Sequence, residues 1–343
     1  MHRAHPLADD LDYVLAHTDA LWDTLRGSRL FVTGGSGFFG TWLLESLLWA
    51  NDRLGLGVRV EVLTRNPEQF MVKVPHLAEH SAVSLVCGDQ VEFVAPGGAF
   101  DVLVHAAVEY GTPRATFERN VLGTSRLLTF AEQAGVTRSL FTSSGAVYGA
   151  QPRDVERLSE DFAGAPALTD PASAYGLAKR SSEHLAALYP SVGMRIARGF
   201  AFVGPYMPLD RTGAMGNFLA DALGGGPIRV GGDGTPLRTY LYAADLAIWL
   251  WTILLRGEAG RPYNVGGAAI LSVREVAERV ASEVNPNASV QIAIPAEPGL
   301  PARYVPDVDR ARNELGLESW IGVDEAIRRT AQYLRSTSHP VSA

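Results

Sequence analysis

The chain has 343 residues, with 37 acidic against 30 basic side chains for a formal net charge of −7, and 47% hydrophobic and 20% charged residues. That is the composition of a folded chain with room for about two domains, and it argues against disorder. An acidic chain carries no global field for nucleic acid or anionic lipid, so neither is expected as a partner.

The single cysteine, Cys87, excludes a disulfide framework and a multi-cysteine metal centre, and is expected as a small core residue. The start of the chain, Met1 to Pro6, has no apolar signal-peptide run. The apolar stretch Tyr240 to Leu255 is broken by Asp245 and is shorter than the roughly 20 residues of a membrane span. A cytoplasmic chain with no membrane partner is therefore expected. The eight histidines show no His-Glu-x-x-His spacing, so no metal is expected.

In chain order, Leu7, Leu11, Val14, Leu15, Leu21, Trp22 and Leu25 recur at roughly helical spacing and predict an amphipathic helix, or a pair, in an N-terminal extension over residues 1–27. Arg29 to Thr33 reads as a short apolar strand, followed by a glycine-rich turn and a helix from Trp42 to Ala50. Val58 to Leu63, Val83 to Cys87, Asp101 to His105 and Arg138 to Thr142 read as further strands, with helical patterns between them, notably Ala115 to Gly135. Continuous apolar strands alternating with helices predict an α/β fold, a Rossmann-type doubly wound parallel sheet, over residues 28–205. After Tyr206 the texture changes: Gly224 to Pro227, Gly231 to Gly234 and the proline-rich Pro295 to Pro306 punctuate short segments. Residues 206–343 are expected to form a smaller mixed α/β substrate-binding region, with the chain free to cross back to the first.

Gly34, Gly37 and Gly40 fall between the first strand and the first helix of that sheet. Small residues there let a pyrophosphate approach a helix N-terminus, whose free N–H groups favour an anion, so a nicotinamide dinucleotide is expected. The second strand ends Leu63-Thr64-Arg65-Asn66, with no acid for a ribose 2′-hydroxyl and an Arg suited to a 2′-phosphate. This leaves NAD and NADP both open and leans toward NADP. Asp89 follows the third strand, where it would accept from the adenine amino group or cap a turn.

Tyr175 and Lys179 are four residues apart and share a helix face. An ammonium near a phenol lowers its pKa and makes it a usable acid or base. Ser143 and Ser144 end the fifth strand and point to the same edge, where a hydroxyl would orient a reacting oxygen.

The three glycines, Ser143-Ser144-Gly145-Ala146-Val147-Tyr148-Gly149 and the Tyr175/Lys179 pair together resemble the extended short-chain dehydrogenase/reductases, the NAD-dependent epimerase/dehydratase group acting on nucleotide-sugars. The likeness runs from about residue 28 to about residue 330, with supporting matches at His105-Ala106-Ala107, Asn120 and Gly204-Pro205. It implies Tyr175 as catalytic acid or base, Lys179 as its partner and ribose ligand, and Ser144 as the orienting hydroxyl. Around the cofactor it implies Gly34, Gly37, Phe38, Phe39, Gly40, Thr64, Arg65, Asn66, Asp89, Ala106, Ala107, Asn120 and Ser143. The substrate, a nucleoside-diphosphate sugar, would meet Arg238 and Arg303 at its diphosphate, where Arg suits bidentate anion binding. Glu109 would lie near the sugar. The group also implies a homodimer through the helix carrying Tyr175 and the one around residues 115–134.

Two departures narrow the reaction. Dehydratases of this group follow the hydroxyl residue with acids, and its decarboxylases keep a Glu in the same segment; this chain has Gly145 and Ala146. A 4,6-dehydratase or decarboxylase is disfavoured, and a 4-epimerase is expected slightly ahead of an NADPH-dependent 4-ketoreductase. Ala201 stands where an Asn often touches the diphosphate, leaving Asn217 to contribute instead. A non-catalytic cofactor-binding module would be expected to lose Tyr175 or Lys179, and both are present.

Overall fold

The computed structural model describes residues 5–209 and 213–337. Its centre is a seven-stranded sheet. The strands β1 (Arg29–Thr33), β2 (Arg59–Thr64), β3 (Val83–Cys87), β4 (Val102–His105), β5 (Arg138–Ser144) and β6 (Met194–Gly199) run with an edge strand, Pro262–Val265, in the spatial order edge, β6, β5, β4, β1, β2, β3. Every pairing in it is parallel; Val32 lies between Val62 and Val104, and Phe141 lies beside Ile196. Buried branched and aromatic residues on β1, β4 and β5 meet helices on both faces, as a parallel sheet requires. The order reverses at β1, which has β2 on one side and β4 on the other, so the crevice at their carboxyl ends is the ligand position. This is the expected Rossmann-type α/β architecture.

The sequence pattern predicts five of these strands. The sixth, β6, and the edge strand Pro262–Val265 complete the sheet, and Asn264 pairs with Arg198 in register. The chain thus crosses back to the cofactor half well after residue 206. The Ala243–Arg256 helix, buried at every position from Ala243 to Leu255, packs on the same sheet. The rest of the chain after residue 206 includes short strand pieces: Leu237–Arg238 flanked by Leu271–Ser272 and Arg303–Tyr304, and Ile228–Val230 beside Val290–Ile292. Among the described residues no helix is long and apolar enough to cross a membrane.

The N-terminal extension forms helix α1 (Ala8–Thr18) and a 3-10 helix, Asp19–Leu25; residues 1–4 of it lie outside the described residues. A helix apolar all round has to be covered all round, and α1 supplies cover to Ala243–Arg256. Leu7, Leu11 and Val14 are buried, and the Trp22 and Trp251 rings are 5.2 Å apart. Polar anchors hold this seam: Tyr13 donates to Asp245 at 2.9 Å, Arg329 donates to Asp10 at 2.6 Å, and Tyr242 donates to the other Asp10 oxygen.

Cys87 is exposed rather than in the core. It ends β3, which has a single neighbour, so one flank of the strand faces solvent.

Candidate functional site

β1 delivers the chain into Gly34, whose φ of +73° suits glycine. A Cβ on Gly34 would lie 2.5 Å from the Ala106 carbonyl and the Ala107 nitrogen, and one on Gly40 would lie 2.1 Å from the Gly34 oxygen. Backbone therefore approaches backbone here, and only hydrogen fits between. Helix α2 (Phe38–Leu54) starts after Gly37 with no side chain capping its first turn, so those N–H groups are left for an anion. Beneath lies an open cleft of about 320 Å³. Gly34, Gly37, Thr64, Arg65, Asn66, Asp89, Ala106 and Ala107 all line it. Phe38, Phe39 and Gly40 form the first turn of α2. A dinucleotide's pyrophosphate fits this cradle, and the flanking residues would hold its adenosine half.

Three of the residues expected around the cofactor spend polar groups on the protein itself. Asp89 accepts from the Val91 and Glu92 N–H groups at 2.7 and 3.0 Å and from Arg119 at 2.8 Å. Burial opposes its charge, but these donors hold the carboxyl below its ordinary value. Asp89 thus builds the turn at the edge of the cleft that it lines. Asn120 spends its amide on Glu109 and Thr116 backbone groups, so it braces the loop after β4 and leaves nothing for the cofactor. Ser143 donates to buried Glu183, which is also paired with Arg198, and so faces away from the cleft.

Glu109 lines the cofactor cleft and pairs with Arg65 at 2.9 and 3.1 Å. Sequence reasoning missed Gln90, a buried residue of the same cleft whose Oε1 has no hydrogen-bond partner among the described residues. Its signal was available: a polar side chain directly after the Gly88-Asp89 turn.

Two strands along the same carboxyl edge, β5 ends at Ser144, whose Oγ accepts from the Ala146 N–H at 3.1 Å. The Ala174–Ala187 helix brings Tyr175 and Lys179 to this edge one turn apart. Lys179 is buried, donates to the Thr142 carbonyl at 2.8 Å, and lies 4.6 Å from the centre of the Phe141 ring and 5.9 Å from that of Tyr175. Burial lowers its pKa to about 8, against the pull of Glu183. Burial pushes the Tyr175 phenol well above its ordinary value; neighbouring Tyr110 adds to this, and the Ser144 hydroxyl draws it back. Tyr110 stacks on Tyr175 with ring centres 5.7 Å apart.

The substrate side splits the two expected arginines. Tyr304 pairs with Arg238 and Arg303 with Leu237 on adjacent parallel strands. Successive side chains in a strand point to opposite faces, so Arg238 and Tyr304 share a face and Arg303 takes the other. Tyr304 stands 3.5 Å from Ser144 Oγ, whereas Arg303 donates to the Arg153 carbonyl at 3.2 Å. Arg238, whose Nη1 donates to the Leu237 carbonyl at 2.8 Å, therefore shares with Tyr304 the face beside Ser144, and Arg303 lies on the other. Burial pushes the Tyr304 phenol up to about 12, which keeps it a neutral donor. A Cβ on Gly145 would lie 2.7 Å from both the Tyr304 hydroxyl and the Phe200 ring. Asn217 is half-buried on the Ala214–Leu223 helix and makes no side-chain hydrogen bond among the described residues.

Residues 30–266 match the model of the NAD dependent epimerase/dehydratase family. UDP-glucuronic acid decarboxylase 1 of Arabidopsis thaliana is 30% identical over 317 residues, 90% of this chain and 70% of the relative. The crystal structure of a dTDP-glucose 4,6-dehydratase from Streptomyces venezuelae with NAD bound is similar with a TM-score of 0.75 at 27% identity, covering 90% of this chain and 97% of that one. A UDP-glucuronic acid 4-epimerase from Bacillus cereus in complex with NAD has the same fold, with a TM-score of 0.75 at 21% identity over 90% of this chain and 99% of that one.

Proposed function

This chain belongs to the NAD-dependent epimerase/dehydratase family, and from that premise we propose that it is a nucleoside-diphosphate-sugar 4-epimerase. The observation that carries this reading is the filled space at Gly145. Elimination or decarboxylation of the kind catalysed by the group's other members draws on an acid in this segment, and here the Phe200 ring and the Tyr304 hydroxyl occupy the room where any side chain at 145 would begin.

A bound nicotinamide would supply reversible hydride exchange at the sugar carbon. The chain's own groups do the rest. Tyr175 takes the proton from the reacting hydroxyl and returns it, and Ser144 holds that oxygen between the two side chains. Lys179, released from the Thr142 carbonyl toward a ribose hydroxyl, would bring its charge to the phenol and lower its pKa. Arg238 would hold the diphosphate as a charge-assisted donor.

The Arg65–Glu109 pair bears on the cofactor. A 2′-phosphate would have to displace Glu109 from Arg65, whereas a 2′-hydroxyl could accept from Arg65 or donate to Glu109, so the pair supports NAD over the NADP suggested by Arg65 alone. This in turn favours the epimerase over the 4-ketoreductase. We also propose the homodimer, through the packed Pro113–Gln133 and Ala174–Ala187 helices, whose Leu122 is 55% exposed and Phe117 36%.

Purified protein incubated with UDP-, dTDP-, GDP- and CDP-hexoses should interconvert C4 epimers of one of them without net change at 340 nm. Stoichiometric NADPH consumption with a 4-keto sugar would establish the reductase instead, and release of carbon dioxide from a uronic acid the decarboxylase.

A further inference from the structure

We propose that His5, Glu45 and His76 form a site for a zinc-class divalent cation at the root of the N-terminal extension. The three residues are far apart in the chain, which is why no short spacing announced them. His5 precedes α1, Glu45 lies on the cofactor helix α2, and His76 lies on the short helix between β2 and β3. Their ligating atoms all fall within 4.8 Å of one another. His5 Nε2 is 3.3 Å from one Glu45 oxygen and His76 Nε2 is 2.7 Å from the other.

Two imidazoles and a carboxylate are the donor set that suits zinc, with bonds of roughly 2.0–2.2 Å and one position left for water. Glu45 is 3% exposed, while the His76 side chain is 42% exposed, so the carboxylate is shielded and an ion has a path in. The outer contacts orient the carboxylate: the Tyr206 hydroxyl donates to Glu45 from a backbone with φ of +69°. Ligation through His5 Nε2 moves that ring's proton to Nδ1 and gives up one weak contact, the Leu7 N–H at 3.2 Å. An ion here would join the extension to the cofactor helix and so clamp the cover over the Ala243–Arg256 helix.

The test uses the purified full chain with its cofactor, freed of metal by chelation and titrated with Zn2+ against a chromophoric chelator. One equivalent should bind, the melting temperature should rise with Zn2+, and Co2+ in its place should show the visible bands of a four-coordinate ion. His76→Ala and His5→Ala, at accessible positions, should each weaken binding by at least about tenfold and abolish the thermal gain. Their melting temperatures without metal serve as the folding control. Absence of stoichiometric binding, or stoichiometric binding unchanged in the double variant, would overturn the site.

Discussion

Arg238 and Tyr304 stand side by side on parallel strands, with the guanidinium 5.8 Å from the centre of the phenol ring. That register turns Arg303, one residue earlier, to the opposite face. The face beside Ser144 therefore carries one cation and one neutral phenol, where the sequence suggests two cations.

The two arginines should separate in kinetics. A charge-assisted hydrogen bond is worth about 1.5–3 kcal/mol, which is roughly 10- to 100-fold in affinity. Arg238→Ala is expected to raise KM for the nucleotide sugar by that factor with a smaller change in kcat. Arg303→Ala should leave both within about threefold, since it removes only a contact to the Arg153 carbonyl. Equal losses from the two substitutions would contradict the register argument.

Gly145 should resist the substitution that would make the site resemble a dehydratase. Even a methyl group there meets the Phe200 ring and the Tyr304 hydroxyl at 2.7 Å. Overpacking of this kind costs about 1–3 kcal/mol, so Gly145→Ala is expected to lower the urea midpoint and the turnover together. Gly145→Asp should show no 4-keto-6-deoxy product by mass spectrometry.

Tyr175→Phe removes the hydroxyl that the proposed reaction uses to exchange a proton with substrate. Loss of general acid–base catalysis costs about 10²- to 10⁴-fold, and kcat is expected to fall by that amount. Cofactor affinity, measured by fluorescence titration, should change little, because the phosphate cradle is made of backbone around Gly34 and Gly40.

Lys179 offers a direct spectroscopic check. Its pKa is lowered to about 8 by burial. Between that value and the 10.5 of an unfolded lysine, the unfolded chain binds more protons than the folded one, so this group's contribution to stability rises as pH rises through that window. A lysine side-chain NMR resonance titrating near pH 8 and missing in Lys179→Met is expected. If the resonance lost in Lys179→Met titrates instead at the ordinary lysine value, the ammonium is in solvent.

The cofactor half was legible because its signals are local. A glycine turn between a strand and a helix, and a Tyr and Lys one helical turn apart, leave their spacing in the sequence. What escaped was set by tertiary register and hydrogen-bond partnership. Whether Arg303 or Tyr304 faces Ser144 depends on a strand pairing between residues 237–238 and 303–304. Asp89 and Asn120 stood at plausible positions, but their donors and acceptors were already used by Arg119, Thr116 and the loop at Glu109. The return of Pro262–Val265 to the sheet was hidden for the same reason: four residues with buried neighbours carry no pattern of their own.

The seam of the N-terminal extension gives a pH signature of opposite sign to that of Lys179. Asp245 is raised from 3.8 to about 6 by burial, against the Ile321 N–H and the Tyr13 hydroxyl that hydrogen-bond it. A raised carboxyl means the folded chain binds more protons than the unfolded one between about pH 4 and 6, so this group's contribution falls as pH rises through that window. At pH 7 the buried charge then carries a penalty of order 1–3 kcal/mol. Asp245→Asn removes the charge and keeps the shape: its oxygen accepts from Ile321 while its amide donates to a reoriented Tyr13. The variant should therefore match the wild type in urea unfolding near pH 4 and exceed it at pH 7. A variant less stable than wild type at pH 7 would show that the charge of Asp245 strengthens the seam, and that burial does not set its ionisation.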